Sequence, residues 1–307
     1  MSALDHMENE TELYLIDDPD IRSMLGSTAT FNIDILLLGE TGTGKDTLAQ
    51  RIHHLSGRRG NFIAVNCAAI PESLAESQLF GVNSGAYTGA IQSRAGYVEA
   101  AHLGTLYLDE IDSMPLSLQA KLLRVLESRG VERLGSTRFI PVDMRVIASA
   151  QHSLHEMVEQ ATFRRDLYFR LNVVNIQLPT LRDRRDCIVS LFLEMIQKEA
   201  EYFKLPAPPP PESLLQQLFA HSWPGNVREL RSTAKRFVLG LPVLSNSPTP
   251  HQDKKTSLKS SLQQIEKMLI EASLRRHGYC VNTVATELSV SKRTLYHRIK
   301  HLEISLA

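Results

Sequence analysis

The 307-residue chain has three cysteines, one tryptophan and no apolar run longer than four residues. Cys67, Cys187 and Cys280 lie far apart, with no C-x-x-C pair for zinc and no even count for a disulfide framework, so a reducing cytoplasm is the expected setting. A run such as Ile35 to Leu38 is far too short to cross a bilayer, which excludes a membrane-spanning role. Basic residues are missing from the amino-terminal end: Met1 to Asp20 holds seven acids and no Lys or Arg, which excludes a basic secretory or transit leader. A net charge is missing too, since 34 basic residues balance 34 acidic ones, so any electrostatic preference for a partner has to be local. The 43% apolar content suffices for one sizeable core and a small satellite domain.

What is present begins with a short apolar stretch, Asn32 to Leu38, read as a buried strand, and Asp46 to Leu55, read as the following helix. Between them lies Gly39-Glu40-Thr41-Gly42-Thr43-Gly44-Lys45, matching the phosphate loop G-x-x-x-x-G-K. Its glycines let backbone N–H groups turn toward phosphate, the helix start adds a favourable dipole, and Lys45 neutralises β/γ-phosphates. Where the general pattern has Ser or Thr for a metal, this chain has Asp46, with Thr47 one place later. Leu106-Tyr107-Leu108-Asp109-Glu110 places two carboxylates at the end of a second apolar strand. Asp109 is the candidate Mg²⁺ residue and Glu110 the candidate base that polarises water. The bland reading, two solvated acids opening a helix, is disfavoured by the loop upstream.

Further strands are expected at Phe62 to Val65, Thr105 to Leu108 and Met144 to Ala148, separated by helical stretches such as Leu116 to Glu127. That alternation indicates an α/β core with a parallel sheet covered by helices. After Leu178-Pro179 only helical stretches follow, Asp186 to Ala200, Pro211 to His221 and Val227 to Leu239, which read as a helical lid.

Gly85-Ala86-Tyr87-Thr88-Gly89-Ala90, between the two nucleotide motifs, resembles the G-A-F-T-G-A loop of the AAA+ activators of σ54-dependent transcription, the bacterial enhancer-binding proteins. Asn66-Cys67-Ala68-Ala69, Ser77-Gln78-Leu79-Phe80-Gly81 and Trp223-Pro224-Gly225-Asn226-Val227-Arg228-Glu229-Leu230 extend the resemblance over about Ile33 to Leu239. It implies an AAA+ P-loop NTPase fold, ATP and Mg²⁺ as cofactors, and a ring, usually a hexamer, of self or paralogous subunits. It implies that Gly85 to Ala90 grip σ54, with Tyr87 supplying the aromatic ring, and that Arg164 and Arg170 reach into a neighbour's site. By the same resemblance Arg228 senses the γ-phosphate and Asn66 hydrogen-bonds Glu110 to gate it. Asp46 stands where these activators usually carry Glu. Ser149-Ala150-Gln151 stands where they usually read Ala-Thr-Asn, so the usual sensor hydroxyl is expected to be absent and Gln151 to substitute as an amide donor.

The carboxy-terminal end is where charge becomes uneven: from His251 to Ala307 ten Lys and Arg face five Asp and Glu. Leu258, Leu262, Ile265 and Leu269 follow helical spacing. Val281 to Leu288, a turn at Ser289-Val290, and Ser291 to Leu302 then form a helix-turn-helix pattern with Ser291 as N-cap. Lys292, Arg293, Thr294, His297 and Arg298 fall on its outward face, donors suited to phosphates and guanine edges in double-stranded DNA. This module resembles the Fis-type domain that closes most such activators.

The expected layout is a short acidic segment 1–25, an ATPase core 26–180, a lid 181–241, a linker 242–256 and an all-α helix-turn-helix domain 257–307. With only an acidic tail before Gly39, no receiver or ligand-sensing domain is expected, as in short members that control type III secretion genes of plant-associated bacteria. Two other functions fit parts of the pattern: a DNA-binding regulator that uses ATP only for assembly, and a general AAA+ protein remodeller.

Overall fold

Phosphate loops need a strand to launch them and a helix to receive them, and the computed structural model supplies both in a five-stranded parallel sheet. It describes residues 19–28, 30–87, 91–243, 270, 273–274, 280–288 and 290–302. The chain divides into two units, 1–245 and 246–307.

In the larger unit the order is α1 (Pro19–Thr28), β1 (Ile35–Leu38), α2 (Lys45–Leu55), β2 (Phe62–Asn66), α3 (Glu72–Phe80), α4 (Tyr97–Ala100) and β3 (Thr105–Asp109). Then come α5 (Leu116–Ser128), β4 (Gly130–Glu132), β5 (Phe139–Pro141), β6 (Arg145–Ala150), α6 (Leu154–Glu159), α7 (Arg165–Leu171) and β7 (Val174–Gln177). Three further helices follow, α8 (Ile188–Phe203), α9 (Glu212–Ala220) and α10 (Asn226–Val238).

The sheet order is β2-β3-β6-β1-β7, every neighbouring pair parallel, while β4 and β5 form a separate antiparallel hairpin. Side chains alternate between two cores. Ile35, Leu37, Tyr107, Ile147 and Ile176 join one that includes Leu48 and Ile52 of α2 and the lid residues Phe192, Leu218, Trp223 and Leu230. Leu36, Leu106, Leu108, Val146 and Ala148 join the other, with Leu79 of α3, Leu122 and Leu126 of α5 and Leu167 of α7. The order puts β1 beside β6 and β6 beside β3, so the carboxyl ends of these three strands converge, the usual place for a ligand in an open α/β sheet.

Two differences from the sequence reading have clear causes. The first strand begins at Ile35 because Asp34 turns its carboxylate onto the N–H of Val146, 3.0 Å away, in place of a ladder bond. A helix also falls partly within the acidic segment: α1 inserts Ile21 and Leu25 into the core, and Arg145, fully buried, caps it by donating to the Thr28 carbonyl at 3.1 Å.

In the smaller unit, α11 (Val281–Glu287) and α12 (Lys292–His301) pack Val284, Ala285, Leu295, Ile299 and Leu302 with Ile270 and Leu274. The acidic tail up to residue 18, Thr88, Gly89 and Ala90, the linker beyond 243 and the helix expected over Leu258 to Leu269 lie outside the described residues.

Candidate functional site

Gly39 to Gly44 joins β1 to α2, and two of its glycines take backbone angles that side-chain-bearing residues rarely adopt: φ is 76° at Gly42 and 98° at Gly44. A Cβ at Gly42 would sit 2.3 Å from the Gly225 carbonyl oxygen, so the loop and the lid touch backbone to backbone there. Val227 N–H donates to the Gly42 carbonyl at 3.0 Å, and the Asn226 amide donates to the Thr41 carbonyl at 3.0 Å. Arg182 completes the clasp by a two-pronged pairing with Glu40, Nη1 lying 2.8 Å from Oε2. That guanidinium holds the Glu40 carboxyl well below its ordinary range, at about 2. Lys45 is 7% exposed and donates to the carbonyls of Gly39 at 2.7 Å and Glu40 at 3.1 Å. Burial pushes the Lys45 ammonium down, opposed by the charges of Asp109 and Asp46.

At the end of β3, Tyr107 and Asp109 share a face because they are two residues apart on a strand. Ser149 of β6 donates to Asp109 Oδ1 at 2.5 Å and accepts the Glu110 N–H at 3.2 Å. A hydroxyl is therefore present beside the acid pair, one residue before the position where its absence is expected. Glu110 itself has left-handed backbone, φ 53°, a costly conformation outside glycine that turns its side chain out of the strand direction. The Gln151 amide donates to Glu110 Oε1 at 2.7 Å and accepts the Thr41 hydroxyl at 2.7 Å. Gln151 is thus the amide donor the sequence suggests. Asn66 is not the partner of Glu110: its amide donates to Asp109 Oδ2 at 3.2 Å, while its own oxygen accepts the N–H groups of Ala68 and Ala69. Those two bonds fix the Asn66 side chain in the turn after β2, facing Asp109 across the β2–β3 pair.

Thr41, Gly42, Gly44, Lys45, Asp46, Thr47, Asp109, Glu110, Gln151 and Arg228 line one cleft of about 440 Å³, with Arg231 and Ser232 beside Arg228 on α10. Loop, acid pair and lid arginine thus meet in one place. Among the described residues no group of three or more His, Cys, Asp or Glu is placed to cage a metal. Asp46 and Asp109 beside a phosphate loop are nonetheless hard oxygen donors of the kind Mg²⁺ takes together with phosphate oxygens and water. Tyr107, whose hydroxyl donates to Asp46 Oδ1 at 2.7 Å, has its phenol pushed up by burial and by the two carboxylates.

Arg164 and Arg170 do not line this cleft. Arg164 pairs with Asp166 through Nε and Nη2 at 3.0 and 2.7 Å. Arg170 pairs at 2.6 Å with Asp34, which is 3% exposed, and donates to the Leu126 carbonyl at 3.2 Å. Of the Gly85 to Ala90 loop, Gly85 has φ 81° and Tyr87 is 48% exposed. A Cβ at Gly135, in the β4–β5 turn, would lie 2.6 Å from the Ala86 Cβ, so this loop rests closely on the hairpin. In the smaller unit Ser291 caps α12 by accepting the Thr294 N–H at 3.1 Å, and Lys292, Arg293, Thr294, His297 and Arg298 are all exposed.

Arg182, Asn226, Ser149 and Tyr107 were not singled out by sequence. Only Tyr107 carries a local signal, a polar ring two residues before Asp109; the others meet the site from distant parts of the chain.

Residues 19–177 match the Sigma-54 interaction domain, 182–244 the AAA+ ATPase lid domain, and 261–302 the bacterial regulatory protein, Fis family. The chain is 58% identical to the "Pathogenicity locus probable regulatory protein WtsA" of Pantoea stewartii subsp. stewartii, over 93% of this chain and 88% of that protein. It is 57% identical to HrpS of Pseudomonas savastanoi pv. phaseolicola, of similar description, over 93% of this chain and 95% of the relative. The crystal structure of NtrX from Brucella abortus in complex with ATP superposes with a TM-score of 0.73 at 31% identity, covering 96% of this chain and 68% of that one. An AAA+ parallel-sheet core carrying phosphate loop and acid pair, a helical lid and a Fis-type helix-turn-helix together place the chain in the family of σ54-dependent transcriptional activators, with relatives described as pathogenicity-locus regulators.

Proposed function

We propose that the chain is an ATP-hydrolysing activator that holds an upstream DNA site through α12 and remodels the closed complex of σ54 RNA polymerase through the Gly85 to Ala90 loop. The observation that carries it is the meeting of Lys45, Asp109, Glu110, Gln151 and Arg228 in one cleft under the lid. The loop N–H groups and Lys45 cradle the phosphates, and Glu110, oriented by Gln151, takes the proton of the attacking water. Asp109 and Asp46 would hold Mg²⁺, which when bound would supply neutralising charge for the phosphates. Arg228 reaches the γ-phosphate from α10.

The ring, of identical or paralogous subunits, brings Arg164 and Arg170 to a neighbour's phosphates, where such arginines are worth on the order of 10³ to 10⁵ in rate. Tyr87 offers the apolar ring that grips σ54. The genes served are those of type III secretion, and the protein works in the cytoplasm; no described helix is long and apolar enough to cross a membrane.

The test is transcription in vitro from a σ54 promoter with the purified protein. Deletion of Tyr87 and Glu110→Gln are each expected to abolish open-complex formation while leaving DNA binding intact. Transcription unaffected by either change overturns the proposal.

A further inference from the structure

Tyr107 is 2% exposed and its ring stacks on Phe62 with centroids 5.7 Å apart, a packing role that phenylalanine fills equally well. Its hydroxyl needs another reason, because a buried O–H is costly unless bonded. The partners are all at the metal corner of the cleft. The hydroxyl donates to Asp46 Oδ1 at 2.7 Å, and it lies 3.1 Å from Asp109 Oδ1 and 3.2 Å from Ser149 Oγ. Ser149 spends its own proton on Asp109 at 2.5 Å, so the Tyr107 proton is left to the two carboxylates, closely to Asp46 and at longer range to Asp109. Two carboxylates from different elements, the first turn of α2 and the end of β3, are thereby tied through one phenol. Asp46 carries its carboxylate on a single methylene, one fewer than a glutamate has, so from the first turn of α2 it reaches only a short way toward β3.

We infer that Tyr107 is a positioning residue that fixes Asp46 and Asp109 for the metal, and that Asp46 and Tyr107 are a matched pair in which the phenol supplies the reach the shorter acid lacks. This rests on the Mg²⁺–nucleotide site proposed above. The pair predicts its own exchange: Glu at 46 with Phe at 107 is an equivalent solution, whereas either change alone leaves a gap or a crowded corner.

The experiment titrates Mn²⁺, a paramagnetic stand-in for Mg²⁺, into the full chain with ADP and reads free metal by electron paramagnetic resonance. ADP affinity in EDTA and the melting temperature are measured beside it. Tyr107→Phe is expected to raise the Mn²⁺ half-saturation about tenfold with metal-free ADP affinity unchanged, and Asp46→Glu/Tyr107→Phe to return it to within about threefold of the parent. An unchanged half-saturation in Tyr107→Phe, a loss matched by metal-free ADP affinity, or a double variant no better than the single one overturns the inference. If Tyr107→Phe alone does not fold, the comparison moves to the Asp46→Glu background. There, adding Tyr107→Phe is expected to lower the half-saturation or leave it unchanged, and a rise of several-fold or more overturns the pairing. A parent chain that binds neither ADP nor Mn²⁺ with ADP instead sinks the nucleotide reading itself.

Discussion

The Gln151 side-chain amide bridges two parts of the cleft, donating to Glu110 at 2.7 Å while accepting the Thr41 hydroxyl at 2.7 Å. The two bonds fix which end of the amide faces which partner, since a hydroxyl proton needs the oxygen and a carboxylate needs the nitrogen. The side chain therefore links the Gly39 to Gly44 loop to the second acid of the pair. The two acids thereby have separate partners, Ser149 donating to Asp109 and Gln151 to Glu110.

Removing that link should separate binding from chemistry. Gln151→Ala is expected to lower ATP turnover by about ten- to a hundredfold while nucleotide affinity changes by less than about threefold, because only the orientation of the base is lost. Gln151→Glu adds a like charge beside Glu110 and should cost more. Steady-state phosphate release and equilibrium binding of a fluorescent ADP check both, and a change confined to affinity counts against the role.

The contact of loop and lid is a matter of backbone, so it should be intolerant of any side chain. Gly42→Ala places a Cβ 2.3 Å from the Gly225 oxygen at a φ of 76°. Strain of on the order of 1–3 kcal/mol is expected, with the lid pushed off the loop and nucleotide affinity lost. Differential scanning calorimetry and ADP titration read the two effects. A normal affinity in this variant would falsify the clasp as a part of the site.

The same clasp has a pH signature. Glu40 has its folded value depressed from 4.5 to about 2 by Arg182. A depressed acid contributes stability that is fully present above its unfolded value and is lost as pH falls through the folded one. The clasp should therefore weaken between about pH 4.5 and 2. Both side chains are well exposed, so screening keeps the contribution below about 1 kcal/mol. The melting-temperature gap between the parent and Glu40→Gln is expected to be largest near neutrality and to close toward pH 2.

Arg170 and Arg164 should part company in stability measurements. Arg170 neutralises Asp34, a buried carboxylate that also takes the Val146 N–H and faces Arg129. Truncating one partner of a buried pair leaves a charge uncompensated, and with Arg129 still present Arg170→Ala is expected to cost about 2 kcal/mol. Among the described residues the Arg164 guanidinium pairs with its exposed neighbour Asp166, so Arg164→Ala should leave the melting temperature unchanged. If both variants lose hydrolysis in the assembled protein, only the loss in Arg164→Ala reports purely on a neighbour's site.

The phosphate loop and acid pair were legible because each rests on residue-specific local chemistry: left-handed backbone at Gly42 and Gly44, and two acids ending an apolar strand. Four strands of the sheet were legible as continuous apolar runs, whereas β7 was missed because Asn175 and Gln177 interrupt its apolar residues. Which acid each amide meets was not legible, because the Asn66–Asp109 and Gln151–Glu110 bonds depend on which strands lie side by side, which spacing along the chain does not reveal. Arg182 meets Glu40 across 142 positions, and no periodicity announces such a pair. The β4–β5 hairpin was missed because strands of three residues with an exposed Phe139 show neither alternation nor an apolar run.

The last prediction concerns α12, whose two faces are cleanly divided. Leu295 and Ile299 are buried, while Lys292, Arg293, Thr294, His297 and Arg298 are exposed, and Ser291 holds the helix start. A side chain that only neutralises a phosphate should weaken all DNA sequences alike and lower the salt slope of binding by about one, as expected for one lost counterion release. A side chain that reads a base edge should instead cost about 1–3 kcal/mol at one position of the site and relax the preference there. Residues in the first turn enter the major groove in helix-turn-helix proteins, so Arg293→Ala is expected to behave as a base reader and Lys300→Ala, at the far end of the helix, as a phosphate contact. Fluorescence anisotropy on a set of singly substituted duplexes at several salt concentrations separates the two. Equal, sequence-independent losses for both variants count against groove entry by the first turn of α12.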